Sequence, residues 1–548
     1  MVQSLLSRLR GPMVSSLIVM GGYMLSRITG LLREVAISAQ FGTSADLGAY
    51  RAAFKVTDLL YMIIIGGALG SSFIPLFIQV WERDGARRAW HLASAVVTWA
   101  LLLLAAASVL VGLLAPTLVR WFYAGPDFTA QQLATTTGLT QLFLLSPLLL
   151  GLGGLAMAAL NARDHFMLPA LAPAIYNLGI IAGALFLAPH WDIWGLAWGV
   201  IIGALCYLLV QLPGLWHIGM RLRPTFGRGI AELRAIAHHM TPRVFGQAAS
   251  QLSILVTAAL TARLSLGLQR IAGLDYAYQL MLLPYGIFSL SLSTVAFPRL
   301  ARLFAEGQRE ELVSSVRRTL GTILFLTLPA TVALVALAVP LVRVLFQRGE
   351  FDNTSLLYTV VPLAGYVTAL PAFSASEILI RTFYAMQQTR IPVLVGLLQV
   401  GLNLSLGLLA LHLGGGVGML ALAFSVANNV EALLLLLLLE RQLPGIWREQ
   451  TLWRSLRAAL LATVAVALLL WGALHLSTPA MPFLHPGGDY TWQSDLGPLV
   501  GWLGAVGVLG GGVYLLLTWL LGAVEARVAW AKLTALAGRV LGRVGPSA

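Results

Sequence analysis

SRITGLLREVAISAQFGTSADLGAYRAAFKVTD, residues 26–58, joins the first two long apolar stretches of the chain, yet it carries Arg27, Arg33, Glu34, Asp46, Arg51, Lys55 and Asp58. Elsewhere the long apolar stretches read as almost free of charge. Each charge inside a bilayer costs roughly 2.5–3.5 kcal/mol on insertion scales, so several together need partners, water or a ligand. On the helical period, Arg51, Lys55 and Asp58 fall at i, i+4 and i+7 and share one face. One reading is a pair of helix ends whose basic side chains snorkel to the interface. The other is a basic site lining a polar cavity for an anionic substrate.

Working outward, composition sets the surroundings. The chain is 58% hydrophobic and 10% charged, with a mean hydropathy of +0.83. Soluble domains carry about 25% charge, so this is a membrane protein. The formal net charge of +13 has a simpler cause than nucleic acid, the lysine and arginine excess of cytoplasmic loops. Cys206 is the single cysteine, which excludes intrachain disulfides and cysteine metal clusters; it reads as a packing residue. No cleavable signal peptide is expected, because the first apolar run is too long and lacks a small-residue cleavage site after it.

Apolar stretches of membrane-spanning length recur to the end, about fourteen in all. They lie near 13–37, 52–80, 91–115, 133–160, 168–188, 193–215, 238–262, 271–298, 319–342, 356–385, 391–411, 416–439, 456–476 and 497–523. WERDGARR, HIGMRLRPTFGRGIAELR, RLARLFAEGQREELVSSVRR and ERQLPGIWREQTLWR are basic connections, whereas STPAMPFLHPGGDYTWQSD has no lysine or arginine. The positive-inside rule then places both termini in the cytoplasm, and Arg120 in an external loop.

Three landmarks repeat at one offset: Pro75 and Pro298, Arg120 and Arg343 in LVR, Pro169 and Pro392, with 298 − 75, 343 − 120 and 392 − 169 all equal to 223. A tandem duplication follows. Each copy holds about six spans, an even number, so the copies run parallel and a substrate binds between them. The predicted fold is an all-α polytopic membrane protein of two six-helix parallel-repeat lobes plus a C-terminal helix pair. Its divisions are 1–222, 223–442 and 443–548, and the charged stretch faces the central cavity. In the tail, Lys532, Arg539 and Arg543 share roughly one helical face with Leu536 and Val540 elsewhere; it reads as a helix lying on anionic lipid or as a solvated basic tail. Gly66 with Gly70, and the glycines at 151, 153 and 154, read as helix-packing positions.

Several chemistries find no support. The only lysines are Lys55 and Lys532, and neither stands in a phosphate-binding loop. No H-E-x-x-H, G-x-S-x-G or Cys/His zinc spacing occurs. His238 and His239 are adjacent, so they point apart on a helix and read as interfacial rather than metal-binding. A membrane enzyme acting on a lipid-linked sugar would need paired acids or a metal. Glu34 and Asp58 read as the only deep acids, each with basic neighbours, so salt-bridge roles suit them better.

The motifs LSRITGLLREVAISAQFG (25–42), ALNARDHFMLPALAPAIYN (159–177), QLPGLWHIGM (211–220), LFQRGEF (345–351) and FYAMQQTRIP (383–392) cover both lobes. In them the chain resembles the MurJ (MviN) family, lipid II flippases of the multidrug/oligosaccharidyl-lipid/polysaccharide exporter superfamily. The resemblance implies fourteen helices, two six-helix lobes and a terminal pair forming a lipid-accommodating groove. The implied activity is moving an undecaprenyl-pyrophosphate-linked sugar–peptide between leaflets of the cytoplasmic (inner) membrane. The family's substrate-contacting arginines on the first helix map onto Arg27 and Arg33, and its acidic neighbour onto Glu34. Tyr61 and Gln279 stand where members commonly carry arginine, and the usual T-D-A reads Asp46-Leu47-Gly48-Ala49 here; Arg51 and Lys55 are candidates for the replacement charge. Some members bind sodium through two acids, and the matching places hold Thr257 and Gln388.

The candidate substrate-binding set is therefore Ser26, Arg27, Arg33, Glu34, Arg51, Lys55, Asp58, Asn161, Asn177, Gln251 and Gln279, with no catalytic residue, metal or cofactor. The expected partners are the undecaprenyl-pyrophosphate-linked glycolipid, membrane lipids and cell-wall synthesis proteins, and not nucleic acid. Rival readings are a flippase for another polyprenyl-linked glycan, a cation-coupled small-molecule exporter of the same superfamily, and a non-transporting scaffold for cell-wall synthesis.

Overall fold

The computed structural model describes residues 12–66, 73–227, 251–447 and 449–531; Gly70, His238, His239 and the tail with Lys532, Leu536, Arg539, Val540 and Arg543 lie outside them. Among the described residues every regular element is helical. Lipid offers no hydrogen bonds to the backbone, and a helix satisfies its own.

Two compact units divide the chain, Met1–Ala272 with Arg348–Asp352, and Gly273–Gln347 with Asn353–Ala548. The first holds α1 (Pro12–Phe41), α2 (Ala45–Tyr61), α3 (Ile74–Asp84), α4 (Ala86–Tyr123), α5 (Ala130–Phe143), α6 (Leu145–Asn161), α7 (Met167–Ala182), α8 (Ala188–Leu209), α9 (Leu212–His217) and α10 (Gln251–Thr261). The boundary falls inside α11 (Gly267–Pro284). The second unit continues with α12 (Ser291–Ala305), α13 (Arg309–Ala336), α14 (Ala338–Phe346), α15 (Asn353–Val367), α16 (Leu370–Ala385), α17 (Arg390–His412), α18 (Val417–Gln442), α19 (Gln450–Ser477) and α20 (Trp492–Leu520).

Among the described residues nine helical stretches are long and apolar enough to cross a membrane, or ten if α15 and α16, bent by 52°, form one span. The shortfall from about fourteen has identifiable sources. Neither α1 nor α2 is among the nine, and these two carry the charges of the 26–58 stretch. The expected seventh span extends outside the described residues, leaving α10. The expected spans 168–188 and 193–215 form a single 51-residue stretch, Met167–His217, which folds back on itself at Trp191 and Asp192, where φ and ψ leave the helical region. A Cβ on Gly179 would lie 2.4 Å from Gly203 Cα, and one on Gly183 2.5 Å from Gly199 Cα. These pairs run antiparallel, so the absent side chains let α7 and α8 touch backbone to backbone.

In the first unit Phe77, Trp90, Leu155, Leu160 and Leu215 form a core that ties α3, α4, α6 and α9. In the second, Leu300, Val316, Ile378, Phe383 and Leu435 join α12, α13, α16 and α18. Helices α19 and α20 dock on α13, where Tyr514 Oη donates to the Phe325 carbonyl at 2.6 Å. Arg120 is not in a loop: it occupies the last turn of α4, exposed. Arg343, of the second LVR, is fully buried and donates to the carbonyls of His485 (3.1 Å) and Gly488 (2.8 Å), holding the connection between α19 and α20.

Candidate functional site

A tight turn folds α2 back beside α1. Gly42 takes a positive φ of 52°, and Ser44 caps α2 by accepting from the Leu47 N–H at 3.2 Å. Helix α7 approaches α1 closely, since a Cβ on Gly22 would come 2.4 Å from Ala170 Cβ. Three helices thereby converge on Glu34.

Glu34 is buried. Its Oε1 accepts from Arg33 Nη2 at 2.7 Å and Nε at 3.0 Å, and its Oε2 from Arg51 Nη2 at 2.5 Å. Arg33 Nη1 donates to Asn177 Oδ1 at 3.0 Å, and Asn177 Nδ2 donates to the Ser26 carbonyl at 3.2 Å and Thr29 Oγ1 at 3.3 Å. Asn177 thus accepts from the guanidinium on one side and ties it to α1 on the other. Arg51 lies over the Tyr50 ring, 5.7 Å from its centroid. A Cβ on Gly48 would lie 2.0 Å from the Leu268 carbonyl oxygen, so only glycine lets α2 seat there.

Two guanidiniums thus share one carboxylate. Arg33 is the exposed member, with 24% of its side chain accessible against 4% for Glu34 and 9% for Arg51. A guanidinium carries five N–H groups; three of those on Arg33 are engaged, so one remains on each terminal nitrogen. The arrangement can hold an anion by charge-assisted bonds, with Glu34 fixing the donors rather than receiving the ligand.

The remaining candidates separate. Ser26 enters through its carbonyl. Arg27 is exposed and takes no partner among the described residues. Lys55 is half-buried on α2, and Asp58 Oδ2 accepts from Gln251 Nε2 at 3.1 Å, a second polar contact on the same helix. Asn161 ends α6, and its carbonyl accepts from the Asp164 N–H at 3.2 Å, which makes it a turn residue. Gln279 belongs to the second unit and donates to Asp275 Oδ2 at 3.0 Å, one turn back on α11. Among the described residues no group of three or more His, Cys, Asp or Glu side chains is arranged to hold a metal.

One expectation is corrected. Glu34 and Asp58 are not the only acids within the membrane helices: Asp275, Glu377 and Glu431 lie inside α11, α16 and α18. Glu377 accepts from Arg381 Nε at 2.7 Å and from Tyr285 Oη at 2.8 Å. A lone acid in a long leucine-rich run barely moves the local hydropathy, so only the dense cluster at 26–58 stood out.

The family model described as "Lipid II flippase MurJ" matches residues 37–485. The lipid II flippase MurJ of Burkholderia cenocepacia is 30% identical, over 84% of this chain and 89% of that one. The probable lipid II flippase MurJ of Rhizobium tropici is 29% identical, over 94% and 95%. Among solved structures, a lipid II flippase MurJ in an inward closed conformation aligns with a TM-score of 0.73 at 23% identity, covering 92% of this chain and 98% of that one. An inward-facing MATE family multidrug transporter aligns at 0.65 and 14%, covering 79% and 99%, a likeness of fold. With apolar membrane-spanning helices throughout and a family model covering most of its length, this multi-pass membrane chain belongs to the lipid II flippase MurJ family.

Proposed function

We propose that this chain is a transporter that moves lipid II, the lipid-linked peptidoglycan precursor, from the inner to the outer leaflet of the bacterial cytoplasmic membrane. The observation that carries the reading is the Arg33–Glu34–Arg51 cluster on α1 and α2, held by Asn177 of α7, with two N–H groups of Arg33 left to donate. The pyrophosphate of such a substrate suits a guanidinium fork. The headgroup crosses through a polar path by alternating access, while the polyprenyl tail stays in lipid.

The finer architecture belongs to the same proposal: fourteen spans, two parallel six-helix lobes, a terminal pair, and both termini cytoplasmic. Backbone detail at the 223-residue offset supports the duplication. π-Helical turns begin at Met62 and at Tyr285. Asp164 and Gln387 both take positive φ, 58° and 61°. Around them His165 N–H donates to the Leu160 carbonyl at 3.0 Å and Gln388 N–H to the Phe383 carbonyl at 2.9 Å. The intramembrane acids of the second unit favour, as a second reading, a cation-coupled exporter of the same superfamily.

The decisive experiment replaces an essential lipid II flippase with this chain in a depletion strain. Growth, together with lipid II reaching an impermeant reagent at the outer surface, is the expected result. A chain that reaches the membrane but restores neither would overturn the proposal.

A further inference from the structure

Helix α16 has two unlike faces. Ser374, Ala375, Ile378, Leu379, Thr382 and Phe383 are buried, whereas Phe373, Glu377 and Arg381, spaced four apart on one stripe, are only half-buried. A lipid-facing stripe looks different: on the next helix, α17, the exposed large hydrophobic side chains are Leu394, Leu397, Leu398, Leu404, Leu408 and Leu409. The α16 stripe instead carries an acid and a base.

Its geometry is that of a presented donor. Glu377 has both oxygens engaged, Oε1 by Arg381 Nε at 2.7 Å and Oε2 by Tyr285 Oη at 2.8 Å. Tyr285 is itself fixed, with its ring 4.8 Å from that of Phe373, at the start of the π-turn that follows Pro284. The carboxylate takes the Nε edge of the Arg381 guanidinium. Its terminal nitrogens have no partner among the described residues, and 23% of the side chain is accessible. A fork held from behind in this way matches two oxygens of one phosphate.

We infer that Arg381 is a phosphate contact of the second unit, taking the diphosphate of a polyprenyl-linked substrate, with Glu377 and Tyr285 as positioning residues. The identity of the ligand rests on the flippase reading; the anion contact does not. A helix pair that merely snorkels would need neither Tyr285 nor a free fork.

The test uses the full chain in nanodiscs, with undecaprenyl diphosphate, uncharged undecaprenol and inorganic pyrophosphate as probes. Arg381→Ala should weaken undecaprenyl diphosphate binding about tenfold or more and leave undecaprenol binding unchanged. Arg381→Lys should recover part of the loss. Glu377→Gln and Tyr285→Phe should each weaken binding several-fold, with no further loss when added to Arg381→Ala. Should Arg381→Ala fail to reach the membrane, Arg381→Gln keeps the stem and answers the same question. Unchanged diphosphate binding, or an equal loss for undecaprenol, would overturn the inference. Competition by inorganic pyrophosphate at the same concentration as the lipid would overturn the assignment to a lipid-linked ligand. A selective diphosphate loss in a chain that cannot replace a lipid II flippase would sink the flippase reading and leave the contact standing.

Discussion

Arg51 Nη2 lies 2.5 Å from Glu34 Oε2, both side chains buried, across a separation of 17 residues. Breaking a buried pair by removing one partner costs about 3–5 kcal/mol, because the other charge is left without compensation. Glu34 serves two arginines, so Glu34→Ala should lower thermal stability more than Arg51→Ala. The double variant should fall short of the sum by about 0.5–3 kcal/mol, the range for residues in contact. Thermal unfolding in detergent measures both, and strictly additive losses would show that the pair is not coupled.

Arg33 and Arg27 should behave differently despite sharing α1. Arg33→Ala strips Glu34 and Asn177 of a donor and should reduce both transport and stability. Arg27 is exposed, so Arg27→Ala should remove transport while leaving the melting temperature and membrane abundance near wild type. Arg33→Lys should restore only part of the activity, since an ammonium cannot make the planar contacts to Glu34 and Asn177 together. Arg120→Ala, at the exposed end of α4, should be mild. Flipping rates measured beside membrane abundance decide; full activity in both α1 alanine variants would remove the substrate-site assignment.

These variants also show what the sequence could disclose. The cluster around Glu34 was legible because seven charges crowd a short run between apolar stretches, where each needs a partner. That Arg51 pairs with Glu34 was not legible: helical spacing placed Arg51 beside Asp58, and it is the turn at Gly42 that brings Arg51 within reach of α1. Asn177 was visible as part of a motif, but its role depends on the close approach of α7. Tyr285, Glu377 and Arg381 were missed. EILIR reads as an apolar run with ordinary i, i+4 charges, and nothing local links it to a tyrosine 92 residues away. The α7–α8 glycines carried no signal until their antiparallel register was known.

Orientation is testable by impermeant thiol labelling in a Cys206→Ala background. The structure selects the positions. Gly488 is unsuitable, since a Cβ there would lie 1.9 Å from the Pro482 carbonyl oxygen, and Gly307 has a positive φ of 72°. Gly487 has room for a side chain, and Glu306 is exposed. Gly487→Cys should react in intact cells and Glu306→Cys only after permeabilisation, following the bias of the basic connections. The reverse pattern would invert the proposed topology.

Sodium dependence is the last outcome to settle. Thr257 and Gln388 stand at the two positions where the family resemblance raises the expectation of sodium-binding acids. Thr257 is buried, and its hydroxyl donates to the Ser253 carbonyl at 3.0 Å. A neutral hydroxyl and a neutral amide lack the negative charge that offsets the cost of dehydrating a cation in a low-dielectric interior. Glu377 adds little net negative charge, because Arg381 pairs with it at 2.7 Å. Transport should therefore persist when sodium is replaced by choline at a fixed membrane potential. A change in potential should still act, at about 2.3 kcal/mol per elementary charge per 100 mV. Proteoliposome flipping with the two variables separated measures this. A collapse that sodium alone reverses would place an ion site on oxygens other than these two, with Asp275 and Glu431 the first acids to neutralise.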